Sequence, residues 1–156
     1  MSAKNASINA FMRPELKEQT IVEIPGIKTF VDENGEPIPF KIRVITTADL
    51  ERIRKGCRIR KIAKDSKGKP IFQSGVIQYS EEYDGNAMSK HMIEEALVFP
   101  DLHDKELLAY YGVNSAIELV DKLFQKLDDY TYILNKIQEV SGISDDGDEI
   151  IEEAKN

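Results

Sequence analysis

The spacing of apolar residues changes period along the chain, from two in the first third to three or four in the second half. Between Thr20 and Thr46, Ile27-Lys28-Thr29-Phe30-Val31 is β-branched and aromatic, and Asp32-Glu33-Asn34-Gly35 supplies a turn in which Asn-Gly takes positive φ. Phe40, Ile42 and Val44 alternate onto one face of a following strand. The pattern predicts a hairpin of these two runs, with a third strand available at Ile21–Ile24. Thr46-Thr47-Ala48-Asp49 pairs a hydroxyl cap with a carboxylate three residues on, which opens a helix whose Leu50, Ile53 and Cys57 face the sheet and whose end is weakened by Gly56. A second hairpin is predicted from Arg58–Lys64 and Ile71–Tyr79, joined by the turn Lys67-Gly68-Lys69-Pro70 and interrupted by Gly75.

The second half reads as helix. Asp84 or Asn86 caps a run to about Val98, with Met88, Met92, Ile93, Ala96 and Leu97 inward and Pro100 as its stop. The stretch from Phe99 to Ile143 then holds three more signatures. Asp104 starts a short helix through Tyr111, with Gly112 as a left-handed stop. The capping box Ser115-Ala116-Ile117-Glu118 opens a helix carrying Ile117, Val120, Phe124 and Leu127 near one stripe. A last helix runs from Asp128 or Asp129 to Val140, with Tyr130, Ile133, Leu134, Ile137 and Val140 inward and Gly142 closing it. The expectation is an α+β fold: small N-terminal antiparallel β-hairpins with one helix, then a mostly α-helical C-terminal half. Residues 1–20, polar but for Ile8, Phe11 and Met12, read as a mobile arm with one apolar hook. Residues 21–143 read as a single globular domain, and residues 144–156 as an acidic tail in which Ile150 and Ile151 offer one apolar contact.

Composition narrows the class without naming an activity. At 156 residues, 41% hydrophobic and 31% charged, the chain fits one soluble domain. A chain of this length buries roughly 68–70% of its unfolded surface and needs no disulfide or metal to fold. Its single cysteine, Cys57, excludes an intrachain disulfide and points to a reducing compartment. No run approaches 18 uncharged apolar residues, and the N-terminus lacks a signal-type apolar core, so the expectation is a cytoplasmic protein with no membrane partner. Net charge of −7 hides an asymmetry: residues 1–78 carry fifteen Lys and Arg against nine Asp and Glu, and residues 79–156 carry six against nineteen. The front is thus +6 and the back −13, which suits self-association or a basic partner on the acidic side, beside the plainer reading of solvated faces.

Candidate chemistry is sparse. Arg52–Lys69 holds nine Lys or Arg with Asp65 alone opposing, a density that suits phosphate backbone and keeps nucleic-acid binding or regulation open as an alternative function. It lacks interleaved aromatics, and the acidic balance of the whole chain argues against it; a charged, solvated hairpin explains it as well. His91 and Glu95 share a helical face with Asp101, His103 and Asp104 following, but two histidines and one cysteine leave a zinc site short of ligands, so no metal or cofactor is expected. Glu81-Glu82, Glu94-Glu95 and Asp128-Asp129 are adjacent pairs that diverge on a helix and make no acid–base couple. No phosphate-cradling glycine pattern occurs, and Cys57 sits on an apolar stripe, so no enzymatic activity is expected. Tyr110-Tyr111 is the one pair that invites partner binding, because tyrosine joins apolar area to a polar handle; one of the two packing inward accounts for the pair equally well.

The order of these features resembles one family, the XkdN-like tail assembly chaperones of long-tailed bacteriophages and PBSX-type prophage elements. The resemblance rests on the apolar hook Ile8–Phe11 before the strands, the helix from Thr46 to Ile53-Arg54-Lys55-Gly56-Cys57, and the lysine-rich hairpin after it. It continues through Leu107, Leu108 and Tyr111-Gly112, Ser115-Ala116, the helix to Leu127, Val140-Ser141-Gly142-Ile143 and the close Glu152-Glu153-Ala154-Lys155-Asn156. It implies a non-catalytic protein, encoded by a phage or prophage, that binds the tape measure protein and keeps it soluble while tail-tube subunits polymerise around it, with the tail tube protein as a further partner. Combined with the residues, it designates Leu107, Leu108, Tyr110, Tyr111 and Phe124 as candidate partner contacts.

Overall fold

Strand β2 (Phe40–Arg43) is the middle strand of the main sheet in this computed structural model, which describes residues 7–12 and 20–143. It pairs antiparallel with β1 (Ile21–Ile24) on one side, in the register Ile24↔Phe40 to Ile21↔Arg43, and with β7 (Leu97–Phe99) on the other. Alternation sends Phe40 and Ile42 into the core at 3% and 0% exposure, as the pattern predicts. The partner of β2 differs from expectation. Ile27–Val31 forms no strand; its β-type pairing is the single bridge Val31↔Pro37. The predicted Asp32–Gly35 turn is present, with Gly35 at φ 79° and the Asp32 carboxylate accepting the Asn34 and Glu36 amides. Gly26, lying between these runs, touches the Ile38 backbone so closely that a Cβ there would fall 2.0 Å from its carbonyl oxygen.

Helix α1 (Thr47–Gly56) starts with the predicted capping box: Thr46 Oγ1 accepts from the Asp49 amide, and the Asp49 carboxylate accepts from the Thr46 amide at 3.0 Å. Its Ile53 is buried and Cys57 follows it inward. Burial, with the charge of Asp84, pushes the Cys57 thiol above its usual pKa, so it packs as a small apolar group.

The second hairpin is a longer arm than the spacing predicts. Strand β3 (Arg58–Ile62) pairs with β6 (Tyr79–Tyr83), in the register Arg58↔Tyr83 to Ile62↔Tyr79. Between them β4 (Phe72–Gln73) and β5 (Val76–Ile77) make a second, shorter hairpin turned by Ser74 and Gly75, both at positive φ. Gly75 therefore turns the chain and does not interrupt a strand.

Helix α2 (Gly85–Ala96) is capped by Asp84 and buries Met88, Met92, Ile93 and Ala96. It ends at Ala96, four residues before Pro100, because Leu97–Phe99 joins the sheet as β7. Helix α3 (Lys105–Tyr111) begins at Asp104 and stops at Gly112, which adopts φ 67° as the pattern requires. Helix α4 (Ala116–Leu123) is capped by Ser115, and Glu118 reaches past it to the Asn114 amide. Its buried stripe is Ala116, Leu119, Val120 and Leu123. Leu127, predicted on that stripe, is 77% exposed and opens α5 (Leu127–Val140), which buries Ile133 and Ile137. All these helices and the sheet share one apolar core, so the α+β expectation holds. Ser7–Met12 forms a single capped 3-10 turn with Ile8, Phe11 and Met12 exposed; the rest of the expected arm and the expected acidic tail lie outside the described residues.

One side chain in this core breaks the apolar rule. Arg43 is 6% exposed, pointing off the opposite face of β2 from Ile42. Its Nε donates to the Glu95 carbonyl at 2.7 Å, satisfying one of the orphan acceptors in the last turn of α2. Its two terminal nitrogens pair with the Glu95 carboxylate and, at 2.9 Å, with Asp49. Arg52 binds both acids from the solvent side. Burial alone would raise the Asp49 pKa, but hydrogen bonds from Thr46 and Arg43 outweigh it and hold the carboxyl at about 2.

Replacing Arg43 with alanine is expected to cost about 3 kcal/mol in urea unfolding, the lower end for a broken buried pair because Asp49 and Glu95 keep some water access. Because Asp49 is depressed from 3.8 to about 2, its contribution is full above pH 3.8 and fades as pH falls toward 2. The stability advantage of wild type over Asp49→Asn is therefore expected to be flat above that point and to shrink below it, as acid-dependent urea titrations of both proteins will show.

Candidate functional site

Three short runs from different parts of the chain enclose an apolar groove of about 230 Å³. One wall is the lip formed by Phe30, Ile38 and Pro39, where the Gly26–Ile38 contact and the Ile38 amide bonded to the Phe30 carbonyl at 3.0 Å set the backbone. Helix α3 lines the groove through Leu107, Tyr110 and Tyr111, between the Asp104 cap and the Gly112 stop. Phe99 and Pro100, leaving the edge of β7, form one end, and Phe40 and Leu123 lie at the base. Every lining side chain is apolar or tyrosine, yet Phe99 is 48% and Tyr110 82% exposed. Water against such surface is unfavourable by roughly 25 cal/mol per Å². A shallower continuation shares Phe99, Pro100, Leu107 and Tyr110 and is rimmed by Asp101, Asp104 and Glu106. The site is thus an aromatic trough with a negative border.

The candidate contacts predicted from sequence divide on this geometry. Leu107, Tyr110 and Tyr111 line the groove, and the two tyrosine rings meet edge to face at 5.0 Å. Leu108 packs half-buried against the core and supports α3 from behind. Phe124 must be corrected: it is 3% exposed, with its ring 6.0 Å from Phe40, and holds up the floor from inside. Its position at the end of α4, one residue past the buried Leu123, closes the core and leaves no face for a partner. Sequence reasoning missed Phe30, Ile38 and Phe99, because the hairpin assumed for Ile27–Val31 and the helix extended to Val98 hid the loop that holds Phe30 and Ile38 and the strand that ends at Phe99. The signal was present in the prolines Pro37, Pro39 and Pro100, which mark chain that leaves regular structure.

Five of the nine basic residues in Arg52–Lys69 are engaged within the fold. Arg52 binds Asp49 and Glu95, Lys61 lies 2.9 Å from Glu82, and Arg58 lies 3.8 Å from Glu81. Arg54 and Arg60 stack over the Tyr83 and Tyr79 rings, at 4.6 and 3.9 Å from their centroids. The ion pairs of Arg52, Arg58 and Lys61 offset part of the charge that a nucleic acid would meet. His91 pairs with Glu94 at 3.0 Å, while Glu95 belongs to the Arg43 cluster, so the two do not act together. No group of three or more His, Cys, Asp or Glu among the described residues is placed to hold a metal ion, and no helix there is long and apolar enough to cross a membrane.

Residues 8–155 match the family described as phage XkdN-like tail assembly chaperone protein. Among curated proteins the chain is 28% identical over 159 residues to the phage-like element PBSX protein XkdN of Bacillus subtilis (strain 168), covering all of both chains. It is 29% identical over 149 residues to the uncharacterized protein YqbN of the same organism, covering 96% of this chain and 93% of that one. The crystal structure of the protein YqbN superposes with a TM-score of 0.64 at 23% identity, covering 89% of this chain and 98% of that one, and has the same fold.

Two substitutions separate wall from support. Phe124→Ala is expected to lower stability by about 3–5 kcal/mol, as for a large aromatic removed from a core. Tyr110→Ala, at a position open to solvent, is expected to change it by less than about 0.5 kcal/mol. Thermal unfolding of both variants checks the assignment.

Proposed function

The chain belongs to the phage XkdN-like tail assembly chaperone family, and from that premise we propose that it binds the tape measure protein, keeping it soluble while the tail tube polymerises. The observation that supports this reading is the groove: open aromatic surface held in a rigid frame, with acidic groups along one side. Exposed apolar patches of this kind mark protein-binding sites, and a trough between two walls suits the apolar face of an amphipathic helix. A client presenting large apolar side chains at helical spacing, with lysine or arginine beside them, would place the former on Phe99, Leu107, Tyr110 and Tyr111. Its charges would then lie near Asp101, Asp104 and Glu106. The globular unit at 21–143 does this without catalysis or cofactor, in the cytoplasm of the host cell.

The chemistry also favours release. One small groove binds one short segment weakly, so a long client is held by several chaperones, each displaced as tube subunits cover its stretch. The tail tube protein is then the competitor that ends the complex.

Co-expression with the tape measure protein from the same genome is expected to move that protein into the soluble fraction, as a complex that survives gel filtration. Tyr110→Ala is expected to weaken the complex about 10-fold or more, as for an aromatic anchor, while leaving the melting temperature of the chaperone unchanged. A client that stays insoluble with no complex formed would overturn the reading; full client binding by Tyr110→Ala and Tyr111→Ala would move the seat elsewhere.

A further inference from the structure

The arm built from β3 to β6 has no buried residue between Arg58 and Tyr83, although it carries large apolar side chains. Phe72 is 60% exposed, Val76 62%, Tyr79 48% and Ile62 43%. Its outer part also carries Lys64, Lys67 and Lys69 against Asp65 alone, and no salt bridge engages these lysines among the described residues. Asp65 is itself turned inward, its carboxylate accepting the Lys67 and Lys69 amides. The result is a projecting apolar tip with positive charge around it. Backbone hydrogen bonds keep it well formed: the Ala63 amide donates to the Gln78 carbonyl, the Ile71 amide to Ala63, and the Gln78 amide to Ile71, all at 2.9 Å.

The groove is the inverse of this tip, a concave aromatic surface edged by Asp101, Asp104 and Glu106, with Lys105 the one lysine or arginine between Phe99 and Gly112. The two features leave opposite ends of α2. The arm is anchored at its start, where the Asp84 amide donates to the Cys57 carbonyl, and the groove begins at its end with β7. A helix of 12 residues separates them by about 18 Å along its axis. None of the residues lining the groove belongs to the arm, so within one copy the two are apart.

From this complementarity we infer that, without client, the arm of one copy docks into the groove of a second copy, Phe72 and Val76 against the tyrosine wall and the lysines beside the acidic rim. The contact is head to tail. Such contacts run on as an open chain of copies or close into a ring, and only the copy at a chain end keeps an arm or a groove open for another. The inference rests on the groove being a binding surface but not on what its client is. Where the groove also holds the client, the two occupants compete, and client binding dissolves the chain of copies.

Sedimentation velocity of the purified protein, with no client present, tests this. Weight-average mass is expected to rise with concentration and to fall back toward monomer between about 0.05 and 0.5 M NaCl, as screening weakens the lysine–carboxylate contacts. Phe72→Asp and Tyr110→Asp, both at open positions, are each expected to weaken association about 10-fold or more with unchanged melting temperatures. Mixing those two variants is the decisive arm: one keeps its groove and the other its arm, so the mixture should form a dimer and nothing larger. Monomer at every concentration would overturn the inference. So would association that survives either substitution, or a mixture that stays monomeric. None of these results bears on whether the tape measure protein is the client, which is read by co-expression.

Discussion

A guanidinium inside an apolar core has to be matched on every side, and Arg43 organises the fold by how it meets that demand. It sits on the central strand and its partners are the last turn of α2 and the first turn of α1, so one planar group fixes two helix ends against the sheet. Two residues on, the Ile45 amide continues the arrangement by donating to Ser141 Oγ just past the end of α5. Four elements are therefore registered within three residues of chain. Apolar packing supplies the cohesion, but it is non-directional and tolerates sliding; the charged cluster sets where each element stops.

The groove follows from that registration. With α2 pinned at Glu95, the chain leaves it directly into β7, and Phe99-Pro100 emerges at the sheet edge beside the Phe30–Pro39 loop. Helix α3 then borders the opening, with Tyr111 half-buried against the core and Tyr110 exposed. On its far side α5 is tied to the same loop region, through Tyr132 to the Pro25 carbonyl and Thr29 to Asp129, each at 2.5 Å. The apolar opening is thus braced from both ends, which keeps the surface exposed in place of collapsing it. On the proposed reading that property serves a helical client: apolar area is held ready at little entropic cost when the client arrives. The acidic border adds the counterpart, favouring basic amphipathic segments and discouraging non-specific apolar contacts between complexes.

Local grammar carried most of the helical half. Asp84, Asp104, Ser115 and Gly112 act at their own positions, because caps and left-handed stops depend on a few adjacent atoms. Strand pairing was less legible. Ile21–Ile24 and Ile27–Val31 are both β-rich neighbours of Phe40–Arg43, and the choice between them is made by Gly26 approaching Ile38 and by β7 arriving from 55 residues later, neither of which leaves a periodic trace. Arg43 was equally hidden, since a charged residue alternating with Phe40 and Ile42 reads as a solvent position until Asp49 and Glu95 are placed around it. The site divides the same way. Tyr110 and Tyr111 announce themselves by type, whereas Phe30, Ile38 and Phe99 matter only because the tertiary fold brings the Phe30–Pro39 loop and the end of β7 beside α3.

The central claim is that this assembled trough is where the client lies. Hydrogen–deuterium exchange of the free chaperone, diluted to its monomer so that no arm fills a groove, and of its complex with the tape measure protein compares every segment at once. Protection on binding is expected in the stretches 30–40 and 99–112, with the Arg43 cluster and the buried face of α5 unchanged because they are already slow. Protection confined to the β3–β6 arm or to the exposed face of α4, with 99–112 exchanging as in the free protein, would contradict it.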